Sequence, residues 1–151
     1  MKVAIGSDHA GYAWKDDIKK LLDELDIEYK DYGCNSEYSC DYPDYAGPVA
    51  QAVANKDADR GILICGTGIG MSIAANKVRG IRASLCNDVF SAEMTRAHNN
   101  ANVLTLGSRV IDKELALEII KTWLSTEYEG GRHARRLAKV SLLENPMNEE
   151  E

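Results

Sequence analysis

Gly61-Ile62-Leu63-Ile64-Cys65-Gly66-Thr67-Gly68-Ile69-Gly70-Met71-Ser72 is the stretch whose reading decides the fold. From Gly61 to Cys65 the residues are apolar without alternation, the pattern of a short strand buried on both faces. The glycines of the Gly66–Gly70 loop let a backbone turn tightly, and Met71 to Lys77 reads as the start of a helix. A strand that passes through glycines into a helix is the building unit of a parallel α/β sheet. Its turn also gathers backbone N–H groups at a helix N-terminus, where an anion is favoured.

Outward from this unit the theme recurs. Upstream, Val3-Ala4-Ile5 closed by Gly6 reads as a strand, and Trp14, Ile18, Leu21, Leu22 and Leu25 share one face of a helix. Ile27 to Tyr32 alternates in polarity as a second strand. Cys34 to Asp44 is turn-rich and reads as a loop, followed by a helix with Pro48 in its first turn and Val49, Ala50 and Val53 facing inward. Downstream, Ile81 to Cys86 is strand four, and Asp88 is suited to cap a helix running to about Asn99. Val103 to Leu106 is strand five, closed by Gly107. Leu115, Ile119, Ile120, Trp123 and Leu124 mark a further helix, and a last one spans about Gly131 to Leu143. Five strands alternating with helices predict an α/β fold, an open three-layer arrangement with a five-stranded parallel sheet flanked by helices. One domain over residues 1–151 is expected, with an acidic tail from about residue 146 whose end, Asn148 to Glu151, frays.

Composition narrows the function classes. The formal charge is -6, which disfavours nucleic acid and anionic membranes as partners. The longest uncharged run, Gly61 to Asn76, carries four glycines and falls short of the roughly 18 apolar residues of a membrane span. The four cysteines show no C-x-x-C spacing and read as reduced thiols of a cytoplasmic protein, with no targeting segment ahead of the first strand. No H-E-x-x-H, no paired cysteines and no dense carboxylate cluster occurs, so neither a metal nor a cofactor is expected.

Ligands of open α/β sheets sit beyond the carboxyl ends of the strands, near a topological switch point. That rule selects Gly6–Gly11, Cys65–Gly70 and the Cys86–Asp88 turn. Cys65 either fills the core or, placed before a helix N-terminus that favours thiolate over thiol, is available as thiolate near neutral pH. Asp8 and His9 suit sugar hydroxyls, with helix capping the plainer role for Asp8. His98 and Asn99 end a helix. Arg132, His133, Arg135 and Arg136 form a cationic cluster in which Arg132 and Arg136 share a helical face and can clasp a phosphate. Two nucleotide readings fit less well. The loop lacks the lysine of a P-loop, and G-x-G-x-G departs from the dinucleotide pattern, although Asp88 lies where a ribose-binding acid would.

Gly6-Ser7-Asp8-His9-Ala10-Gly11, Asp41-Tyr42-Pro43, Cys65 to Gly70, Ala74-Ala75-Asn76-Lys77, His98-Asn99, Gly107-Ser108-Arg109 and Gly130-Gly131-Arg132-His133 with Arg136 resemble the type B ribose-5-phosphate isomerases. The resemblance runs from residue 2 to about residue 143. It implies a Rossmann-like fold and a cofactor-free aldose–ketose isomerase acting on ribose 5-phosphate and ribulose 5-phosphate through an enediolate. By the same resemblance Cys65 is the base, and the amides of Gly66, Thr67, Gly68, Ile69 and Gly70 form the anion hole. Thr67 shuttles a proton between the two substrate oxygens. His98 opens the furanose ring with Asp8 assisting. His9, Arg132 and Arg136 hold the phosphate with Arg109 as a further contributor, and Asn99 contacts substrate oxygens. The family forms homodimers or tetramers of dimers with sites at the interface. It also includes galactose-6-phosphate isomerase subunits and an allose-6-phosphate activity, so a six-carbon sugar phosphate is the alternative substrate. A non-catalytic sugar-phosphate-binding module would need the glycine loop and arginines, but not Cys65 or His98.

Overall fold

The computed structural model describes residues 1–144, so the expected acidic tail lies outside the described residues. Five strands, β1 (Lys2–Ser7), β2 (Glu28–Asp31), β3 (Arg60–Cys65), β4 (Ala83–Leu85) and β5 (Val103–Gly107), form one sheet in the order β2-β1-β3-β5-β4. Every pairing is parallel. The helices are α1 (Lys15–Glu24), α2 (Pro43–Ala54), α3 (Ile69–Ala75), α4 (Val89–Ala97), α5 (Lys113–Ser125) and α6 (Arg132–Leu142), with a short 3₁₀ turn over Tyr12–Trp14. The expected α/β architecture is therefore present.

Alternation along β3 shows how one strand serves two layers. Ile62 and Ile64 pack with Ile18, Leu22, Ile119, Ile120 and Trp123, whereas Leu63 and Cys65 pack with Val49, Val53, Met71 and Ala75 on the other face. Both sets are almost fully buried, which is why the strand reads as an uninterrupted apolar run.

Three elements differ notably from expectation in their boundaries. Helix α2 starts at Pro43, so Pro48 lies inside it and not in its first turn. Pro43 occupies the first position, where the missing N–H costs no intrahelical bond. Strand β4 is confined to Ala83–Leu85 and does not reach from Ile81 to Cys86. It is an edge strand, and asparagine side chains replace the ladder at its entrance: Arg82 N–H donates to Asn102 Oδ1 (2.7 Å) and Ala83 N–H to Asn76 Oδ1 (2.8 Å). Helix α3 begins at Ile69, earlier than Met71, and ends at Ala75.

Candidate active site

Because β1, β3 and β5 are neighbours, the turns at their carboxyl ends meet. Asp8 N–H donates to the Ile64 carbonyl (3.1 Å), Ser108 N–H to Cys65 (2.9 Å) and Arg109 N–H to Gly66 (2.9 Å). The Ser108 hydroxyl donates to the Ala10 carbonyl at 2.7 Å. Residues 7–11, 65–70 and 107–109 thus make one surface at the switch point between β1 and β3.

Cys65 ends β3 and is 5% exposed. Its Sγ accepts the Gly68 N–H at 3.1 Å, so the loop curls back onto the thiol. That curl requires φ +78° at Gly68, the left-handed region that glycine enters without strain. Thr67 is exposed, and its hydroxyl accepts the Ile69 N–H at 3.2 Å. Gly107 packs directly beneath: a Cβ there would lie 2.5 Å from the Thr67 carbonyl.

Asp8 is buried, and its Oδ1 accepts N–H groups of Ala10 (2.9 Å) and Gly11 (3.2 Å). Through that oxygen it fixes its own turn. His9 Nδ1 accepts the Cys40 N–H at 3.2 Å. In the neutral ring the proton therefore sits on Nε2, leaving an N–H donor for an anion. Cys40 belongs to the segment between β2 and α2, and the Tyr42 ring of that segment lies against Gly70. What reads in sequence as a plain loop folds over the site.

A buried cation anchors this segment. Lys15, 3% exposed, pairs with Asp31 Oδ1 at 2.8 Å and also donates to the Cys34 carbonyl. Lys19 reaches Asp31 Oδ2 at 2.7 Å, and Gly33 N–H reaches Oδ1 at 2.8 Å. Burial pushes the Asp31 carboxyl up, but the hydrogen bonds from Lys15, Lys19 and Gly33 outweigh it and hold the group below the usual carboxylate value.

The remaining predicted residues lie elsewhere. Helix α4 runs back from the carboxyl edge, and His98 is its C-cap. Four residues on, the Asn102 carbonyl accepts the N–H of Gly61, near the start of β3 (2.9 Å). A nine-residue helix rises about 13 Å. His98 and Cys65 of one chain therefore stand at opposite edges of the sheet. At the amino edge, His98, Asn99, His133, Arg136, Leu137 and Val140 line a cavity of about 210 Å³. The rings of His98 and His133 stack, with centroids 4.1 Å apart and planes 14° from parallel. Glu129 Oε2 lies 3.8 Å from His98 Nε2 and 3.4 Å from His133 Nε2. Burial, then the neighbouring His98 and Arg132, push the His133 imidazole below the ordinary histidine value. Arg132 opens α6 and is exposed. Among the described residues no hydrogen bond or ion pair joins this group to the Cys65 loop.

Sequence reasoning gave no role to Tyr42, Cys40, Ser108 or Glu129. Asp41-Tyr42-Pro43 and Gly107-Ser108-Arg109 carried a signal as motifs, whereas nothing in the sequence marks Glu129. Asp88 caps α4, its two oxygens accepting the Ser91 N–H (2.6 Å) and hydroxyl (3.1 Å). It is occupied where the dinucleotide reading needed a free ribose-binding acid.

A Rossmann-like sheet with a thiol at the head of a glycine loop, at the ligand-binding edge, suits a sugar-phosphate isomerase. The chain belongs to the ribose/galactose isomerase family, whose model matches residues 3–140. It is 49% identical over 147 residues to ribose-5-phosphate isomerase B of Escherichia coli, covering 97% of this chain and 99% of that one. The ribose-5-phosphate isomerase B structure from Clostridium thermocellum superposes with a TM-score of 0.94 at 51% identity, covering 95% of this chain and 97% of the other. The Mycoplasma genitalium enzyme, solved with ribulose 5-phosphate bound, gives a TM-score of 0.90 at 42% identity and 95% coverage of both. Among the described residues no helix is long and apolar enough to cross a membrane.

Proposed function

We infer that this chain interconverts D-ribose 5-phosphate and D-ribulose 5-phosphate in the non-oxidative pentose phosphate pathway, as a cytoplasmic enzyme whose active site is completed across a two-fold homodimer. The observation that carries the reading is Cys65: a buried thiol at the end of β3, engaged by the Gly68 N–H, in a chain closely similar to ribose-5-phosphate isomerases. His98 of the partner subunit gives a proton to the furanose ring oxygen, and Asp8 takes one from the anomeric hydroxyl, freeing the aldehyde. The Cys65 thiolate removes the proton from C2. Backbone N–H groups of the Gly66–Gly70 loop stabilise the enediolate oxygens. The Thr67 hydroxyl carries a proton from O2 to O1, and the Cys65 thiol returns its proton to C1, giving the ketose. His9 with Arg132 and Arg136 of the partner subunit holds the phosphate, and Asn99 of the partner subunit contacts the sugar oxygens.

The separation of Cys65 from its own His98 supports the sharing, since a two-fold axis supplies each site with one residue from each chain. The exposed apolar residues Ile69 and Ile73 on α3, and Val140 and Leu142 on α6, lie on elements that carry the two half-sites and suit an interface. Free cysteines at 34, 40, 65 and 86 fit a reducing compartment. The experiment is a comparison of kcat/KM across phosphorylated aldoses of five and six carbons. Ribose 5-phosphate is expected to lead; a higher value for allose 6-phosphate would reassign the substrate.

A further inference from the structure

The group at the amino edge holds more than ring-opening chemistry requires. His98, Glu129 and His133 each offer one ligand atom, and the three atoms lie within 4.8 Å of one another. His133 is 6% exposed, and its Nε2 is buried without a hydrogen-bond partner among the described residues, although it faces Glu129 Oε2 at 3.4 Å. A buried imidazole nitrogen left unpaired costs free energy unless something else occupies it.

Two imidazoles and a carboxylate are a ligand set for a borderline divalent ion of the zinc class, leaving a fourth position open. With bonds of about 2.0–2.1 Å, tetrahedral ligand atoms stand roughly 3.3 Å apart. The Glu129–His133 pair already matches at 3.4 Å, and the Glu129–His98 pair, at 3.8 Å, needs a small closure. The near-parallel rings cannot both point their lone pairs at one ion. His98, 36% exposed at a helix end, is the ring that would have to turn, since His133 is buried. Arg132 and Arg136 lie close enough to His133 to oppose a dication, which favours weak, reversible binding over a permanent structural ion.

We propose that His98, Glu129 and His133 bind one zinc-class divalent ion per chain, and that the ion switches the isomerase off by taking the His98 imidazole. The site stands on geometry alone; the inhibition rests on the reading of His98 as the ring-opening acid. The test uses the full chain stripped of metal, with Co²⁺ as spectroscopic probe and Zn²⁺ as inhibitor. Co²⁺ is expected to bind once per chain. Glu129→Gln, at a side chain 58% exposed and so compatible with folding, should weaken that binding by at least about tenfold. The Zn²⁺ concentration for half-inhibition should rise by the same factor, each protein being compared with its own metal-free rate. Cys65→Ala should bind Co²⁺ as the wild type does, separating this site from the thiol.

Absence of Co²⁺ binding, equal binding by Glu129→Gln, or loss of binding in Cys65→Ala would overturn the site. Zn²⁺ inhibition undiminished in Glu129→Gln would overturn the switch. A metal-free wild type that binds Co²⁺ as expected yet isomerises no ribose 5-phosphate would sink the isomerase reading and the switch, and leave the ion site standing.

Discussion

Mixing two inactive variants tests the shared site directly. Cys65 ends β3 at the carboxyl edge, and His98 caps α4 after a run of about 13 Å back to the amino edge. No side chain bridges such a span, so under the proposed sharing each works with its counterpart on the other subunit. On that reading, Cys65→Ala homodimers lack the base at both sites, and His98→Ala homodimers lack the acid at both. Dissociated, mixed in equal amounts and reassociated at random, the chains form about half hybrids. In a hybrid one site carries both defects and the other carries neither. About a quarter of all sites are then intact, and the initial rate of ribulose 5-phosphate formation should return to about a quarter of wild type. Subunit exchange is verified with a mass tag on one variant. If exchange is complete and the mixture stays dead, each site draws both residues from one chain, and the two-edge argument fails.

The base itself is tested by Cys65→Ala alone, which should lower kcat by roughly 10²-fold or more with little change in KM. Alkylation should strike Cys65 and be slowed by ribose 5-phosphate, while Cys86 stays unmodified, because burial and then Asp88 push its thiol up to about 11; near-normal turnover in Cys65→Ala would remove the thiol from the mechanism. Arg136→Ala should raise KM for ribose 5-phosphate by roughly ten- to hundred-fold, with a smaller effect on free ribose, as expected for a charge-assisted phosphate contact; equal effects on both sugars would make the arginine structural. Asp31→Asn strands the buried Lys15 ammonium and should cost about 3–5 kcal/mol in denaturant unfolding. Since the Asp31 value is depressed on folding, its contribution is present above the ordinary carboxylate pKa near 4 and is lost as pH falls through the depressed value. Wild-type stability should therefore drop more steeply with acid than that of Asp31→Asn, and parallel curves would refute the pairing.

The layering was legible because strands buried on both faces leave unbroken apolar runs, as in Ile62-Leu63-Ile64, and helices leave a 3.6-residue stripe, as in Ile18, Leu21, Leu22 and Leu25. Ends were harder. Two prolines compete to start α2, and the helix begins at Pro43 and carries Pro48 inside it. The start of β4 depends on Asn76 and Asn102, whose side chains replace strand partners through contacts distant in sequence. The glycine loop and Cys65 were visible as local chemistry. The covering of Gly70 by Tyr42, the anchoring of the 31–34 turn by Lys15, and the meeting of Glu129 with two histidines arise from chain crossings that no local pattern encodes. The two-edge separation follows from strand direction, since a helix after a parallel strand must run antiparallel to it.

Gly107 sets a further property of the enzyme. With the Thr67 carbonyl where a Cβ would otherwise sit, the reactive loop rests on the turn after β5 with no room to sag. On the proposed mechanism, the amides that meet the enediolate are ordered when the chain folds, not when substrate arrives. The conformational entropy of the loop is thus lost once, before catalysis, and binding energy from the sugar phosphate remains for the transition state. On that reading, a side chain at position 107 would push the loop off its support, and the anion hole would have to be ordered anew in every turnover.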